Sequence, residues 1–172
     1  LFLRQGIQNR GDLGDKISKV KMLVLDVDGV MTDAGMYYSR DGDEMKKFNT
    51  RDGMGIRLLR EAGMLLAIIS SEEITIVKDR AKKLGIEAVY TGVHDKVEAL
   101  SKLLDAFSLT PDQVAFVGDD INDLSAMRTV GFSATVADAV PEVKAVADYI
   151  SAKRGGDGAV RDVAEMILRA RK

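Results

Sequence analysis

Residues 21–33 read KMLVLDVDGVMTD, a stretch in which an apolar run ends in two carboxylates separated by one residue. The run from Met22 to Leu25 is typical of a strand buried on both faces of a parallel sheet. In open sheets of this kind ligands bind beyond the carboxyl ends of the strands, where Asp26 and Asp28 lie. Side chains two apart in a strand share a face, so both carboxylates can point into one crevice. Two acidic groups that close repel each other, which favours the binding of a cation.

This stretch also has a purely structural interpretation. Asp26 and Asp28 could cap turns in a strand-to-helix loop, as aspartate often does near glycine. Short motif matches are frequent by chance, so these two residues alone do not decide between capping and catalysis. The decision depends on which polar residues follow the other strands.

Composition limits the classes of function. The 172 residues are 46% hydrophobic and 30% charged, which suits one globular domain. The chain has 25 basic and 27 acidic residues, and its basic residues form no long cluster, which argues against a nucleic-acid-binding protein. The absence of Cys and the single histidine, His94, exclude disulfides, thiolate catalysis and zinc sites built on cysteines or several histidines. Oxygen atoms therefore remain as the metal ligands that the chain can offer, and oxygen ligands suit Mg2+.

The termini and the hydropathy pattern give expectations about domains and location. No apolar run approaches the roughly 20 residues that cross a bilayer, and residues 1–15 lack the apolar core of a signal peptide. We therefore expect a soluble, cytoplasmic protein without a membrane partner. Glycines among polar residues predict a loose leader over residues 1–16, followed by a single domain over residues 17–172. The chain begins with Leu1, so it can be a piece of a longer protein or a trimmed chain.

Strand and helix patterns alternate along the rest of the chain. Residues 35–48 predict a β-hairpin that turns at Asp41-Gly42, an insertion that we interpret as a lid or an oligomer contact. Asp52 resembles the N-cap of a helix that ends at Gly63. Further strands are predicted at 64–70, 88–90, 114–118, 132–136 and 148–150, with helices over 74–85, 97–107 and 121–130 and from about 141 and 159. This alternation predicts an α/β fold with a doubly wound, Rossmann-like parallel sheet.

Polar residues follow three further strands of the predicted sheet. Ser70 closes the second parallel strand, Lys96 opens the helix after the third, and Asp119 follows the fourth, together with Asp120 and Asp123. Each residue alone is explained as a helix cap or a solvated side chain. Together they fall at the carboxyl edge of one sheet, where they can converge with the first two aspartates around a bound group.

The chemistry that suits this convergence is phosphoryl transfer. Asp26 can attack phosphorus and form an aspartyl phosphate, while Asp28 protonates the departing sugar oxygen and then activates the attacking water. Ser70 and Lys96 can bind the phosphoryl oxygens.

A magnesium ion fits the same set of residues. Mg2+ held by Asp26 and Asp119 would offset the repulsion between carboxylate and phosphate. Asp120 and Asp123 are expected to hold the metal ligands and Lys96 in place.

Four motifs resemble those of the haloacid dehalogenase-like phosphatases, over residues 21–169: DVDGVMTD at 26–33, Ser70, Lys96 and GDDIND at 118–123. Three more segments resemble the branch without a cap domain, which includes the 3-deoxy-D-manno-octulosonate 8-phosphate phosphatases: FNTRDGMGI at 48–56, VADA at 136–139 and RGGDGAVRDV at 154–163. The resemblance implies a fold without a cap, an Mg2+ cofactor bound also by the backbone carbonyl of Asp28, and a homotetramer. It further implies that the hairpin at 35–48 builds the tetramer, that a neighbouring chain closes the site, and that substrate contacts include Thr32, Asn49, Arg51 and Arg154.

One segment departs from the pattern of the octulosonate phosphatases. Residues 70–72 read Ser-Ser-Glu, where that branch usually has Ser-Gly-Arg or Thr-Gly-Arg. The acidic Glu72, together with Lys83 and Lys153-Arg154, resembles relatives that act on nine-carbon sugar acid 9-phosphates and the phosphatase-like domain of acylneuraminate cytidylyltransferases. Loss of the arginine removes a possible contact to a carboxylate or phosphate. Glu72 can equally stabilise the first turn of a helix, so its role stays open.

Two functions from different classes follow. The first is an Mg2+-dependent phosphatase that hydrolyses a 2-keto-3-deoxy sugar acid phosphate, either 3-deoxy-D-manno-octulosonate 8-phosphate or a nonulosonate 9-phosphate, in lipopolysaccharide or sialic acid biosynthesis. The second is an inactive or weakly active tetramerisation domain cut from an acylneuraminate cytidylyltransferase. The intact residues Asp26, Asp28, Lys96 and Asp119 favour the enzyme. A receiver domain is disfavoured because its phosphorylated aspartate ends a later strand, and a phosphoryl-transferring ATPase would carry threonine in place of Asp28.

Overall fold

The computed structural model describes residues 10–41 and 44–171 of the chain. The helices are α1 (Arg10–Lys19), α2 (Thr50–Glu61), α3 (Thr75–Leu84), α4 (Lys96–Phe107), α5 (Leu124–Thr129), α6 (Pro141–Val146) and α7 (Ala159–Ala170). The strands are β1 (Met22–Leu25), β2 (Tyr37–Tyr38), β3 (Glu44–Met45), β4 (Leu65–Ile69), β5 (Ala88–Tyr90), β6 (Val114–Val117), β7 (Phe132–Thr135) and β8 (Tyr149–Ile150). Short 3-10 turns at Pro111–Gln113 and Ile121–Asp123 precede β6 and α5.

Six strands form one parallel sheet in the order β5-β4-β1-β6-β7-β8. Strand β1 is central, and Leu25 at its end pairs with Ile68 on one side and Val117 on the other. All four residues of β1 are buried, as a continuous apolar run between two helix layers requires. The predicted α/β fold with a doubly wound sheet is confirmed. Its carboxyl edge brings together the segments that follow β1, β4, β5 and β6.

Helices cover both faces of the sheet. Helix α7 packs against α1 and α2, and α5 packs against α4 and α6. Five residues at helical spacing form the buried face of α7: Ala159, Val160, Val163, Ala164 and Ile167. Burial of such faces supplies most of the favourable free energy of folding. In the described part of the chain, no helix combines the length and hydrophobicity needed to span a membrane.

The predicted loose leader over residues 1–16 is wrong for its second half, because residues 10–19 form helix α1. Ile17 is buried in the core, with Leu13 packed against it. Lys16 Nζ forms an ion pair with Asp148 Oδ1 at 2.6 Å. These tertiary contacts stabilise a helix that contains Gly14, although glycine has a poor helix propensity. Residues 1–9 lie outside the described residues.

The predicted N-cap of α2 is also wrong by three residues. Asn49 is the N-cap, and its Oδ1 accepts hydrogen bonds from the backbone of Arg51 at 2.8 Å and Asp52 at 3.4 Å. The buried Asp52 instead accepts hydrogen bonds from the backbone of Gly158 and Arg161. It therefore satisfies amide groups at the start of α7, which have no partners within their own helix.

The connection from β1 to α2 carries a hairpin in place of a cap domain. Strands β2 and β3 pair antiparallel, with Tyr37 opposite Met45. The predicted hairpin is therefore confirmed, although Gly42 of its predicted turn lies outside the described residues. Tyr37 and Met45, which are opposite each other on one face of the hairpin, are 51% and 64% exposed, so this outer face is apolar.

Candidate active site

Asp26 lies directly beyond the central strand, at the carboxyl edge of the sheet. Its backbone N–H donates to Val117 O at 3.0 Å, which extends the pairing of β1 with β6 by one residue. Its side chain is 8% exposed. Gly29 follows with φ +88°, and a Cβ at this position would lie 2.0 Å from Asp119 Oδ2. Glycine at position 29 therefore lets the loop after β1 turn and lets Asp119 approach the backbone of that loop.

A buried lysine joins the segments that follow β1 and β6. Lys96 Nζ contacts Asp26 Oδ1 at 2.6 Å and Asp123 Oδ1 at 2.5 Å, and all three side chains are buried. Lys96 is the first residue of α4, whose start is fixed by the N-cap Asp95. Asp123 Oδ2 accepts hydrogen bonds from the backbone of Asp119 at 2.9 Å and Asp120 at 3.3 Å. The segments that follow β1, β5 and β6 therefore form one connected polar network.

This network carries more negative charge than its lysine balances. Carboxylate oxygens of Asp26, Asp119 and Asp123 all lie within 4.8 Å of one another. Burial, with repulsion from Asp123, raises the pKa of Asp26 to about 7 although Lys96 opposes the shift. Burial and the neighbouring aspartates raise the pKa of Asp119 to about 8. Burial alone would lower the pKa of Lys96, but the carboxylates more than offset it and the pKa is raised.

Ser70 lies at the carboxyl end of β4, next to β1 in the sheet. Its side chain is buried, and its Oγ has no hydrogen-bond partner among the residues that the structure describes. An unsatisfied buried hydroxyl costs about 1–3 kcal/mol, a cost that a bound ligand can remove. The hydroxyl is therefore available to an anionic oxygen at the edge where the carboxylates converge.

Asp28 contacts a second lysine that the sequence analysis did not predict. Lys46 Nζ lies 2.5 Å from Asp28 Oδ1, and the Lys46 side chain is 0% exposed. The signal in the sequence was the two-residue period of the hairpin strand, which turns Met45 and Lys47 outward and Lys46 inward. In a stretch with two adjacent lysines, this period does not by itself identify the inward one.

Comparison with known proteins agrees with this geometry. A model for haloacid dehalogenase-like hydrolases matches residues 72–163. The 3-deoxy-D-manno-octulosonate 8-phosphate phosphatase of Escherichia coli (strain K12) is 42% identical over 159 residues, which is 92% of this chain and 85% of the relative. This chain belongs to the haloacid dehalogenase-like hydrolase family.

Solved structures of the family have the same fold. The 3-deoxy-D-manno-octulosonate 8-phosphate phosphatase of Yersinia pestis aligns with a TM-score of 0.91 and 42% identity, over 93% of this chain and 86% of that one. The corresponding phosphatase of Moraxella catarrhalis, in complex with a magnesium ion, a phosphate ion and a KDO molecule, aligns with a TM-score of 0.92 and 38% identity. That alignment covers 95% of this chain and 94% of the other. The relationship therefore extends over nearly the whole chain.

The residues of this hydrolase fit a divalent cation. Asp26 and Asp119, whose pKa values are raised, lie with Asp123 in a cluster that contains one ammonium group, so a second positive charge would relieve their repulsion. Carboxylate oxygens are the ligands that Mg2+ prefers. The predicted ligands are Asp26, Asp119 and the carbonyl of Asp28, and the structure places Asp123 in the carboxylate cluster as well. Asp123 already binds Lys96 and two backbone amides, which fits its predicted supporting role.

Several predicted site residues lie around the cluster in structural roles. Thr32 is buried, and its Oγ1 accepts hydrogen bonds from the backbone of Gly29 and Ala34 at 3.3 Å each. Asn49 caps α2, and its Nδ2 donates to Gly156 O at 3.2 Å. Asp120 is exposed and accepts a hydrogen bond from the next backbone N–H. These side chains therefore shape the loops around the site.

The charged residues predicted to contact substrate are more dispersed. Arg51 and Glu72 are exposed near the carboxyl edge, and Arg154 is exposed with its Nε 3.3 Å from Asp138 Oδ2. Lys83 is exposed in the last turn of α3. The adjacent Leu84 O accepts a hydrogen bond from Arg60 in the last turn of α2, just before β4 begins. Within one chain Lys83 therefore lies toward the amino edge, and the structure does not bring it to the cluster.

The raised pKa of Asp119 predicts how stability depends on pH. Because its pKa rises from 3.8 to about 8 on folding, the metal-free folded protein binds more protons than the unfolded chain between these values. The stability that this residue contributes is therefore lost as the pH rises to about 8. In EDTA, we expect the free energy of unfolding of Asp119→Asn to exceed that of the wild type by about 1 kcal/mol or more at pH 8, and by less at pH 5. Urea denaturation at the two pH values measures the difference.

An exposed aspartate on α3 provides the control, since Asp79→Asn should change stability by less than about 0.5 kcal/mol at either pH. Excess Mg2+ should stabilise the wild type and leave Asp119→Asn nearly unchanged, because ligand binding stabilises only the protein that binds it. A variant less stable than the wild type in EDTA at pH 8 would show that the Asp119 carboxylate is not under repulsion.

Proposed function

We propose that this chain is an Mg2+-dependent phosphatase that hydrolyses 3-deoxy-D-manno-octulosonate 8-phosphate through an aspartyl phosphate. The observation that carries the proposal is the buried cluster in which one lysine, Lys96, binds Asp26 and Asp123 beside Asp119. The substrate class rests on relatives about 42% identical over nine-tenths of the chain that are octulosonate phosphatases. A neighbouring structure with magnesium, phosphate and a KDO molecule supports the same assignment.

The side chains divide the reaction into two steps. Asp26 attacks phosphorus, so that a new bond to its carboxylate forms while the bond between phosphorus and the sugar oxygen breaks. Asp28 gives its proton to the departing sugar oxygen. Water then attacks the aspartyl phosphate, Asp28 takes a proton from it, and inorganic phosphate leaves with Asp26 restored. Lys96 holds Asp26 through Oδ1 during both steps.

Two features of the site bind the phosphoryl group. The unpaired hydroxyl of Ser70 can donate to a phosphoryl oxygen, and Lys96 supplies positive charge beneath it. Asp26, Asp119 and the backbone carbonyl of Asp28 would hold Mg2+, which supplies positive charge that offsets the repulsion between substrate phosphate and the acidic cluster. A tetramerisation domain without activity would not need this set, so the geometry favours the enzyme.

A nonulosonate 9-phosphate is the second candidate substrate, and Glu72 is the observation that favours it. The side chain is exposed just beyond β4, where octulosonate phosphatases usually carry arginine. The preceding Ser71 Oγ accepts a hydrogen bond from Asn122 Nδ2 at 3.2 Å, which links this loop to the segment after β6. An acidic group at the mouth of the site would change which substrate hydroxyl or carboxylate groups are accepted.

The proposal includes the assembly and the location of the enzyme. A homotetramer built through the hairpin would cover the apolar outer face formed by Tyr37 and Met45, and a neighbour would close a site that has no cap. A cytoplasmic location fits a substrate with phosphate and carboxylate charges, since charged groups do not cross a bilayer unaided. A place in lipopolysaccharide or sialic acid biosynthesis follows from the two candidate substrates.

The first test is release of inorganic phosphate from 3-deoxy-D-manno-octulosonate 8-phosphate. We expect activity with Mg2+ and none with EDTA. Asp26→Asn should lower kcat by at least about a thousand-fold while the protein stays folded, because the covalent route needs the carboxylate. Asp79→Asn, an exposed substitution on α3, is the matched control. Activity close to the wild type in Asp26→Asn would exclude this nucleophile.

The substrate branch is tested by reversing the charge of Glu72. Glu72→Arg should raise kcat/KM for the octulosonate phosphate relative to a nonulosonate 9-phosphate by about 10-fold, the effect of one charged contact. The adjacent Glu73→Arg, also an exposed glutamate, should leave the ratio within about 2-fold because surface charges there are screened. An unchanged ratio in Glu72→Arg would remove this residue from substrate selection.

The tetramer is tested by light scattering coupled to size-exclusion chromatography. The wild type should elute with four times the chain mass of 18.7 kDa, and Tyr37→Ser with Met45→Ser should give smaller species because the apolar contact area is lost. Phe107→Ser, at a large exposed side chain at the end of α4, should keep the wild-type mass. A double variant that remains tetrameric would place the interface elsewhere.

A further inference from the structure

Lys46 is a buried lysine between two exposed neighbours. It directly follows β3, and its neighbours Met45 and Lys47 have side chains that are mostly exposed. The Lys46 side chain is 0% exposed, and its ammonium group lies 2.5 Å from Asp28 Oδ1. Lysine is rarely buried unless its charge is paired, and ordering its long side chain costs about 1.5–2 kcal/mol. The contact with Asp28 therefore needs an explanation beyond general surface packing.

Attachment of the hairpin to the loop after β1 does not by itself explain this contact. The next residue, Lys47, forms an ion pair with Asp33 Oδ2 at 3.0 Å, and Thr32 forms a β-bridge with Phe48. These contacts join the same two segments without reaching the reacting carboxylates. Among the described residues of the hairpin, Lys46 is the one that contacts the aspartate that exchanges protons in the proposed reaction.

The two lysines near the site contact different carboxylates. Lys96 binds Asp26, the proposed nucleophile, and Lys46 binds Asp28, the proposed acid and base. Asp28 is partly exposed, with 28% of its side chain accessible, so without a partner it could rotate into solvent. The ion pair uses Oδ1. The other oxygen of the carboxyl group is therefore the one that can carry the proton toward the leaving group.

We propose that Lys46 is a positioning residue that fixes the Asp28 carboxyl group so that Oδ2 faces the leaving oxygen. The inference rests on the proposed phosphatase function and assigns the hairpin a part in the first chemical step. A misplacement of about 1 Å in a catalytic group can cost about 100-fold in rate. In kcat/KM, which reports the first step, loss of Lys46 should therefore act only where the leaving group needs a proton.

The test compares leaving groups in Lys46→Met. A sugar alkoxide and phenolate, whose pKa is about 10, need protonation, whereas p-nitrophenolate leaves without a proton. We expect kcat/KM to fall about 10- to 100-fold for 3-deoxy-D-manno-octulosonate 8-phosphate and for phenyl phosphate, and by less than about 3-fold for p-nitrophenyl phosphate. The value of kcat/KM reports the first step, in which the leaving group departs. The control, Lys47→Met, should stay within about 2-fold of the wild type for all three substrates.

Each other outcome has a distinct meaning. An equal loss on all three substrates, or no loss on any, would overturn the positioning role. A loss confined to the sugar acid phosphate would overturn it as well, since Lys46 would then contact the sugar acid rather than act through Asp28. If Lys46→Met does not fold by circular dichroism, Lys46→Gln replaces it, because glutamine keeps an N–H donor and should show the same leaving-group dependence more weakly. A wild type without phosphatase activity would instead overturn the proposed function itself.

Discussion

The ammonium group of Lys96 lies between the carboxylates of Asp26 and Asp123, and this buried ion triad determines how the carboxyl edge is built. At an effective dielectric constant of about 20, two unit charges 4 Å apart interact by about 4 kcal/mol, so each pair strongly favours one alignment of strand ends. Replacement of a buried ion cluster by apolar residues often stabilises a protein. The free-energy cost of burying this cluster is therefore best explained by the needs of the site. One ammonium group does not balance all the carboxylates, and a divalent cation can bind the negative charge that remains.

Parts of the structure that depend on local pattern were predictable from the sequence. The apolar runs of β1, β4 and β6 identify a parallel sheet, and the rule that such sheets bind ligands at their carboxyl edge places Asp26, Ser70 and Asp119 together. The sequence-based predictions were wrong where a contact between residues far apart in the chain determines the role of a side chain. Asp52 has the pattern of an N-cap, but its partners Gly158 and Arg161 lie more than 100 residues along the chain. The contact of Lys46 was not predicted for the same reason, because the path of the hairpin determines which carboxylate it contacts.

The segments 48–56 and 154–163, which resemble the branch without a cap domain, brace the loop after β1. Asn49 Nδ2 donates to Gly156 O, and Gly156 N–H donates to Val30 O in that loop. A Cβ at Gly155 would lie 1.8 Å from Gly29 O, so only glycine permits this approach. The two segments therefore fix the backbone that carries Asp28, which is a physical reason for their composition apart from any contact with substrate.

The hairpin connects this braced loop with the surface. Two strands of two residues each are too short to be stable alone, so the position of the hairpin depends on its anchors to the loop after β1. Lys46 on its inner side pairs with Asp28, while Tyr37 and Met45 on its outer side are exposed. Packing of a second copy on the outer side would restrict the hairpin and with it the position of Lys46. Assembly and proton transfer would then depend on the same few residues, which explains how a site without a cap domain can hold its acid in place.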